Sequence, residues 1–519
     1  MLAHLRFRLY RWLLGSFTAK GFKGHKVWPL ELPSDDHLDV GPLASELPRL
    51  FGPDTFPRTE HAASRARKVR LRGRLLPLVS GIPAQKTAPI ATDLPGLLDE
   101  IYPDQYRTIW PQPPVVPPEL EAEDILAALA VGGPFAMYLQ KASTLDRSDQ
   151  DAAGVRPDEF VIDMRSFDRY EPKAGLLAPG GLAIFRVEGD HLRTRGIRYE
   201  NRIHEPGDGG FDRARRVLLC ALNTHLTTLV HNVTFHLAYV TPLAVASTNE
   251  LPTDHPIRRL LHPAFHTALV GNYELARFQI VGPRGFATTL FSHEYPTLVR
   301  IINDHLEGFR PADLDPEVAV ERSGLDGATI ALPFWDDQLA LWRITHDYVD
   351  AYVGNYYADD AAVADDPDLH HWLEALDGLF PGGLYDDHGY LTAGAPLTRA
   401  MLARLCATVL HTSSATHDVV NNAVWDYSTL NHIVPTVVPE SLEHQDVRLS
   451  FDLMNTIIGT WKPYNMLTDG VSALALDENG RRIMDRYAKA LIDRQKEMDT
   501  EPHRAGRTYP NELNPSVSN

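Results

Sequence analysis

The 519-residue sequence has little cysteine, and its two thiols belong to Cys220 and Cys406. Two cysteines exclude a disulfide framework and a cysteine-rich zinc site, and they fit a reducing compartment such as the cytoplasm. The sequence also has no run of about 18 apolar residues, so it predicts no membrane-spanning helix. We expect no secretory signal either, because no apolar segment near residue 1 precedes a small-residue cleavage site.

Positive charge is also scarce, since Lys and Arg total 50 against 68 Asp and Glu, for a net charge of −18. This balance repels phosphate backbones, and no basic stripe with interleaved aromatic residues occurs, so we expect no nucleic-acid partner. The GxSxG, Walker A, GxGxxG and HExxH signatures are missing as well, which removes the corresponding enzyme classes. A hydrophobic content of 44% is typical of a soluble globular protein with ample apolar mass for a core.

Residues 1–110 differ in texture from the rest of the chain. Prolines interrupt them, as in "LFGPDTFPRTE", and predict an irregular, partly helical extension that wraps the core formed by residues 111–519. Residues 1–30 carry six Arg or Lys residues among apolar ones and no acid before Glu31. This pattern is typical of a helix in peripheral contact with an anionic membrane surface; the alternative is a first helix packed on the domain.

The remaining sequence predicts a mainly α fold. Residues 158–199 contain two apolar runs joined by Gly-Asp turn chemistry, which indicates a small antiparallel sheet. After about residue 212 the pattern becomes helical almost to the end. The segment "RARRVLLCALNTHLTTLVHNVTFHLAYVTPLAVAS" is apolar on most faces, so it predicts a long buried helix that crosses the core.

Histidines carry most of the chemical information. His231 and His236 are five residues apart, about 140° around an ideal α-helix, so they share one side only if a π-type turn widens the helix. His417 and Asn421 are four apart and share a helix face without distortion. Convergence of these two helices would create a nitrogen and oxygen site suited to iron or another first-row metal.

Other interpretations of the histidines stay open at this point. Each pair also fits ordinary core histidines that are hydrogen-bonded to neighbours and bind nothing. His262 and His266 have the same metal-ready spacing of four and compete directly with the first pair. His370 and His371 are adjacent and point to different faces, which favours a solvated surface pair.

Three longer stretches resemble the lipoxygenase family. They are "HNVTFHLAYVTPLAVASTNELPTDHPIRRLLHPAFHTALVGNYELAR" at 231–277, "PFWDDQLALWRITHDYVDAYVGNYYADDAAVADDPDLHHW" at 333–372, and "SSATHDVVNNAVWDY" around His417. With the strand-like block at 158–199, the similarity covers roughly residues 110–519. The resemblance implies a lipoxygenase-like catalytic domain with a long central helix that carries a π-type turn. No N-terminal β-sandwich domain is predicted, because residues 1–110 lack the necessary alternation.

The resemblance also implies one non-haem iron per chain. Its ligands would be His231, His236, His417 and Asn421, and the family adds the carboxylate of the C-terminal residue, which is almost always isoleucine. This chain ends in Asn519, which has its own α-carboxylate unless the terminus is trimmed.

The implied reaction is the dioxygenation of a polyunsaturated fatty acid or related lipid to a hydroperoxide. A ferric hydroxide takes a hydrogen atom from a bis-allylic carbon, and O₂ then adds to the radical. By resemblance, Ala276 steers oxygen and goes with S-configured products, Ile280 clamps the reacting carbon, and Leu237 helps to position the substrate. For these positions the alternative is ordinary core packing.

Two departures from the family pattern affect the surroundings of the metal. Thr227 and Val424 stand where the family usually has glutamines that link the iron to the substrate cavity. The absence of the two glutamines weakens the substrate assignment, since residues around a metal site orient its ligands and tune the metal. Alternatives are therefore an iron-dependent oxidase for another polyene, a secondary metabolite or a hydroperoxide, and an inactive lipid-binding protein. The sequence leaves the oligomeric state open.

Overall fold

The computed structural model describes residues 116–441, 471–501 and 507–513, except 266–267, 269–271, 273–274, 284, 386–390, 393 and 429. These residues form a mainly helical structure with one small sheet, as the sequence predicts. The predictions for the extension 1–110, including its boundary and its membrane contact, lie outside the described residues. The terminal residue Asn519 lies outside them as well.

The sheet contains five antiparallel strands in sequential order: β1 Leu139–Lys141, β2 Phe160–Asp163, β3 Leu182–Glu188, β4 His191–Tyr199 and β5 Arg202–His204. Successive side chains of a strand point to opposite faces. Ala183 and Phe185 therefore join the main core, while Leu182 and Ile184 pack in a smaller cluster on the other face. The predicted antiparallel sheet at 158–199 is confirmed.

The helices provide most of the core. The described α-helices are α1 Ile125–Val131, α2 Arg147–Ala153, α3 Phe211–Thr224, α4 Thr241–Glu250, α5 Pro256–Phe265, α6 Phe286–Leu290, α7 Tyr295–Glu307, α8 Pro316–Arg322, α9 Pro333–Tyr356, α10 Asp360–Ala364, α11 Pro367–Leu379, α12 Arg399–His411, α13 His417–Asp426 and α14 Glu478–Met498. Short 3₁₀ turns, among them Pro134–Tyr138 and Pro510–Glu512, connect them.

The central helix joins α3 and α4 through a π-helix, His225–Val240. The Thr241 amide donates to the carbonyl of His236, five residues earlier, and Pro242 then follows without an N–H. The chain leaves the wide π pattern at that point. Residues Phe211–Glu250 are long and apolar enough to span a membrane, but 94% of their most apolar window is buried inside the protein. They form a core helix, as the all-round apolar pattern predicts.

A second interrupted helix packs against the first. α12 and α13 are joined by a π turn, Thr412–Thr416, and α13 lies against the central π-helix. Helix α9, which is 24 residues long, packs along α12 and α14. The π segments His225–Val240 and Thr412–Thr416 therefore lie where the long helices meet.

Gly133 gives a test of packing near this junction. Its φ of +68° favours glycine, and a Cβ there would lie 2.3 Å from the hydroxyl oxygen of Tyr427, just after α13. We expect Gly133→Ala to lower the free energy of unfolding by about 2–3 kcal/mol, from strain plus displacement of the ring. Gly175→Ala is the matched control, because φ is +80° and a Cβ would meet nothing within 4 Å. Equal losses in urea titrations of both variants would contradict the contact argument.

Candidate metal centre

Three histidine side chains meet at one buried point. The Nε2 atom of His231 lies 3.2 Å from Nε2 of His236 and 3.2 Å from Nε2 of His417, and the third side of this triangle is 3.1 Å. The three residues are at most 3% exposed. The triangle therefore gathers three nitrogen donors from two distant parts of the chain.

The two π segments explain this convergence. His231 and His236 both belong to the central π-helix, whose i→i+5 pattern brings residues five apart to one side. His417 begins α13 directly after the second π turn. The sequence prediction that the first pair needs a widened turn to share a site is confirmed.

Hydrogen bonding shows which nitrogen of His236 is available. The Asn272 amide nitrogen donates to the carbonyl of His236 at 2.7 Å and lies 2.9 Å from the Thr241 hydroxyl oxygen. This fixes the amide oxygen of Asn272 toward Nδ1 of His236, at 2.7 Å. Since that oxygen can only accept, Nδ1 carries the proton and Nε2 presents a lone pair to the other two rings.

Burial keeps all three imidazoles uncharged. It lowers the pKa of His236 and of His417 to about 3, and for His236 the neighbouring His417 adds to the effect. It also holds the pKa of His231 well below its usual value, together with the other two histidines. Neutral imidazole is the form of histidine that binds metals.

The donor set fits a divalent or trivalent metal ion. Metal–imidazole bonds of about 2.1 Å at right angles place their nitrogens roughly 3.0 Å apart, close to the sides of the observed triangle. Nε2 of His236 presents a lone pair to this point, and a shared cation would satisfy all three ring nitrogens. Imidazole suits iron, zinc, copper and nickel. The three histidines therefore fit a metal ion.

The structure shows less about the other two proposed ligands, Asn421 and Asn519. Asn421 is buried, with 8% exposure, and lies one turn after His417 on α13, so it occupies the same face of that helix. Its role as a ligand stays a prediction. The proposed contribution of Asn519 lies outside the described residues.

The segment with the oxygen-steering and clamping positions packs against the central π-helix. Ala276 and Ile280, both fully buried, are the first and last residues of a short π segment. The amide nitrogen of Asn232, the neighbour of His231, donates to the Gln279 amide oxygen at 3.2 Å. This bond holds the segment against the part of the central π-helix that carries His231, and the roles of Ala276 and Ile280 stay predictions.

The remaining positions of interest are buried. Leu237, which follows His236, and Val424 are each 1% exposed. The Thr227 hydroxyl donates to the Asn223 amide oxygen at 3.2 Å, and Ser428 donates to the same oxygen at 2.7 Å. Asn223 thus links the central helix to the residues just after α13, and Thr227 supports it by donating to the same oxygen, while Val424 contributes only apolar surface.

The competing histidines do not form a comparable cluster in the described part of the chain. His262 is buried, but its partner His266 lies outside the described residues. His370 and His371 are exposed on α11, so the prediction of a surface pair is confirmed. Another group joins His255 to Asp366 and Asp368, but Asp366 caps α11 and accepts from Tyr357 at 2.8 Å. Its contacts are those of a structural cap.

Sequence reasoning missed Asn272 as a part of the site. It appears in the "GNYELAR" phrase, but its contact with His236 spans 36 residues and depends on helix packing. We expect Asn272→Leu to weaken metal binding about 10- to 100-fold, because the tautomer and orientation of His236 are no longer fixed. Equilibrium dialysis with Fe²⁺ under argon measures this change.

The control for Asn272 is Thr241→Val. It removes the other side-chain contact of the Asn272 amide and leaves the bond to Nδ1 of His236 in place. We expect the dissociation constant of this variant for Fe²⁺ to stay within about threefold of that of wild type, a smaller change than removal of a residue that orients a metal-binding histidine causes. Equal losses in both variants would show that general loosening of the helices, and not the imidazole contact, sets the affinity.

Comparison with known proteins agrees with this geometry. Residues 216–456 match the lipoxygenase family model. Linoleate 9S-lipoxygenase B of Solanum lycopersicum is 28% identical over 290 residues, which cover 52% of this chain and 33% of that protein. Linoleate 13S-lipoxygenase 2-1 of Solanum tuberosum is 27% identical over 216 residues, covering 40% of this chain and 24% of its own length. The chain thus spans a third or less of these curated relatives.

Solved structures show the same fold. The coral 8R-lipoxygenase superimposes with a TM-score of 0.72 at 16% identity, covering 94% of this chain and 83% of its own. A calcium-dependent 11R-lipoxygenase gives 0.65 at 17% identity, with coverage of 92% and 72%.

Proposed function

This chain carries a lipoxygenase-family domain, and on that premise we propose that it is a non-haem iron dioxygenase acting on a polyunsaturated fatty acid or related lipid. The observation that supports this most directly is the buried triangle of three Nε2 atoms with sides of 3.1–3.2 Å. Its residues are those that the family resemblance assigns to iron. The product would be a lipid hydroperoxide.

Within this proposal the protein residues hold the metal and shape its surroundings. His231, His236 and His417 bind it as neutral donors, Asn421 adds an amide, and Asn272 keeps His236 in the required tautomer. Bound iron would supply the one-electron oxidation that removes a hydrogen atom from the bis-allylic carbon. Four neutral ligands would leave much of the ion's charge uncompensated, which favours a site that binds an anionic oxygen donor.

Apolar residues beside the metal would orient the acyl chain. Leu237, Ala276 and Ile280 are buried in the main hydrophobic core, on the two π segments that adjoin at the Asn232–Gln279 bond. Burial there excludes water from the reacting carbon, and a fixed chain position lets O₂ add from one side.

One observation favours a second candidate, an oxidase for a polyene that carries a hydroxyl group. The Oδ1 atom of Asn232 is buried and has no hydrogen-bond partner among the described residues. A plain hydrocarbon chain would leave this oxygen unpaired, whereas a hydroxyl would satisfy it. Asn232→Leu should then impair turnover of a hydroxylated polyunsaturated acid more than that of linoleate.

Iron content combined with diene formation tests the proposal. We expect about one iron per purified chain, and a rising conjugated-diene absorbance when linoleate is added in air. Iron without the absorbance change would favour the second candidate. The absence of both iron and turnover would support the non-enzymatic alternative, a lipid-binding protein that has lost its activity.

Ala276 allows a test of product configuration. With Ala276→Gly, we expect the ratio of S to R hydroperoxide to shift toward R, because removing the methyl group opens the face of the radical that it covers. Chiral chromatography of the hydroperoxides measures the ratio. The control is Ala268→Gly, also fully buried but eight residues earlier; an equal shift there would count against a specific role for Ala276.

A further inference from the structure

One buried amide connects three separate segments near the metal centre. Gln338 lies on α9 with 1% exposure. Its amide oxygen is 3.0 Å from Nε2 of His411 and accepts from the Thr416 hydroxyl at 3.2 Å. Its amide nitrogen donates to the Thr508 hydroxyl at 3.0 Å. All hydrogen-bonding ends of this side chain therefore face other parts of the fold.

The two groups that share the amide oxygen bracket the second π turn. His411 ends α12, and Thr416 is the last residue of the turn, directly before His417. These residues are five apart, and in an ideal α-helix they would point about 140° from each other. A single acceptor reaches both only when the turn is widened. Gln338 therefore stabilises the π form of the turn, and this form determines how His417 is presented.

The other end of Gln338 faces the C-terminal segment, residues 507–513. The preceding residue Asp337, 1% exposed, holds the same segment: it accepts from the Arg507 guanidinium at 2.8 Å and from the Thr508 backbone N–H at 3.2 Å. Arg494 of α14 adds a contact at 3.4 Å. A buried carboxylate with these partners anchors the segment firmly, because undocking would remove its two shorter contacts and leave the longer one to Arg494.

We propose that Gln338 is a positioning residue that couples docking of the C-terminal segment 507–513 to the affinity of the histidine centre for its metal. The coupling passes from Thr508 through the Gln338 amide to the π turn and so to His417. This inference rests on the proposed function, since it concerns the same metal. It is separate from any ligand contributed by Asn519.

Substitutions that keep side-chain shape test this route. Thr508→Val removes the contact with the C-terminal segment, Thr416→Val removes the contact with the π turn, and Gln338→Met removes both. The readout is the dissociation constant of Co²⁺, measured by dialysis on the full-length chain, with the visible spectrum of bound Co²⁺ as a report on coordination. We expect losses of roughly 3- to 10-fold for each threonine variant and 10- to 100-fold for Gln338→Met, within the range for residues that orient ligands.

The double variant distinguishes coupling from general loosening. In the Gln338→Met background, Thr508→Val should have no further effect on Co²⁺ binding, because its link to the π turn is already cut. Thr345→Val is the matched control: it lies on the same helix, bonds Tyr487 at 3.4 Å and should leave the affinity unchanged. The threonine variants also keep the test valid if Gln338→Met does not fold.

Each outcome has a definite meaning. Unchanged Co²⁺ affinity and spectrum in Thr508→Val, with wild type binding the metal, would overturn the coupling and leave the proposed function standing. The proposal would also be overturned if the affinity for Co²⁺ falls merely in proportion to the melting temperature of the metal-free chain and Thr345→Val shows the same loss. A wild-type chain that binds neither Co²⁺ nor iron would overturn both proposals.

Discussion

His417→Ala should abolish iron binding and dioxygenation, leaving no product formation above that of the metal-free chain. The substitution removes one of three neutral nitrogen donors that lie 3.1–3.2 Å apart, and the amide of Asn421, the further ligand that we propose, is a weaker donor than imidazole. We expect a loss larger than the roughly 10- to 100-fold typical of residues that only orient a ligand. Metal analysis of purified wild type and variant measures it directly.

A second measurement separates loss of the ligand from loss of the fold. Bound metal stabilises the native state by about 2.7 kcal/mol at a hundredfold excess over the dissociation constant. Added iron should therefore raise the melting temperature of wild type and leave that of His417→Ala unchanged. His370→Ala, an exposed histidine on α11, is the control and should behave as wild type. Equal iron in His417→Ala and wild type would remove His417 from the coordination sphere.

Acidification should unfold the protein well before its carboxylates are protonated. Outside the three-histidine centre, burial lowers the pKa of His411 to about 3 and that of His293 to about 4, in the second case with help from Lys173. Their side chains are 0% and 1% exposed. Burial also lowers the pKa of two further histidines, that of His225 to about 3 and that of His305 to about 4.

The direction of the effect follows from proton uptake. An unfolded histidine has a pKa near 6.5, so below that pH the unfolded chain binds more protons than the folded one. The stability from each buried neutral histidine is fully present above pH 6.5 and is lost as the pH falls toward the folded pKa. At pH 5 each fully buried histidine lowers the free energy of unfolding by roughly 2 kcal/mol. The total for a typical protein is about 5–15 kcal/mol, so a few such histidines account for a large share of it.

His293→Phe isolates one of these contributions. Neither ring nitrogen of His293 has a hydrogen-bond partner among the described residues, and its neighbours Phe167 and Tyr170 are aromatic, so a phenyl ring suits the position. Between pH 7 and pH 5, we expect the variant to lose about 2 kcal/mol less unfolding free energy than wild type. Urea titrations at both pH values check this. His371→Phe, on the surface, should lose as much unfolding free energy between pH 7 and pH 5 as wild type. Equal losses in wild type and both variants would contradict the argument.

The long central helix and the small sheet were predictable from the sequence because they depend on local patterns. Residues 211–250 are apolar on most faces, and residues 158–199 contain two apolar runs joined by a Gly-Asp turn. The spacing of His231 and His236 showed that the two share one side only through a π turn, and the family resemblance supplied the reason to expect one. The structure confirms each of these features.

Contacts between distant segments were not predictable in this way. Asn272 meets His236 across 36 residues, and Gln338 meets Thr508 across 170. Asparagine and glutamine occur at many helix positions, and nothing in their local sequence tells which partner packing will bring within 3 Å. The link from Thr227 through Asn223 to Ser428 escaped prediction for the same reason.

The sequence by itself determined the class of elements through hydrophobic periodicity, and its resemblance to a family selected the candidate ligands among several histidine pairs, because both depend on neighbouring residues. Only the tertiary structure decided that three imidazoles face one point, which tautomer His236 adopts, and how the C-terminal segment reaches the turn before His417. The physical reason is that a metal site needs donor atoms placed to within a fraction of an ångström. Helices brought together by burial of their apolar faces provide that placement, and residue spacing along the chain does not.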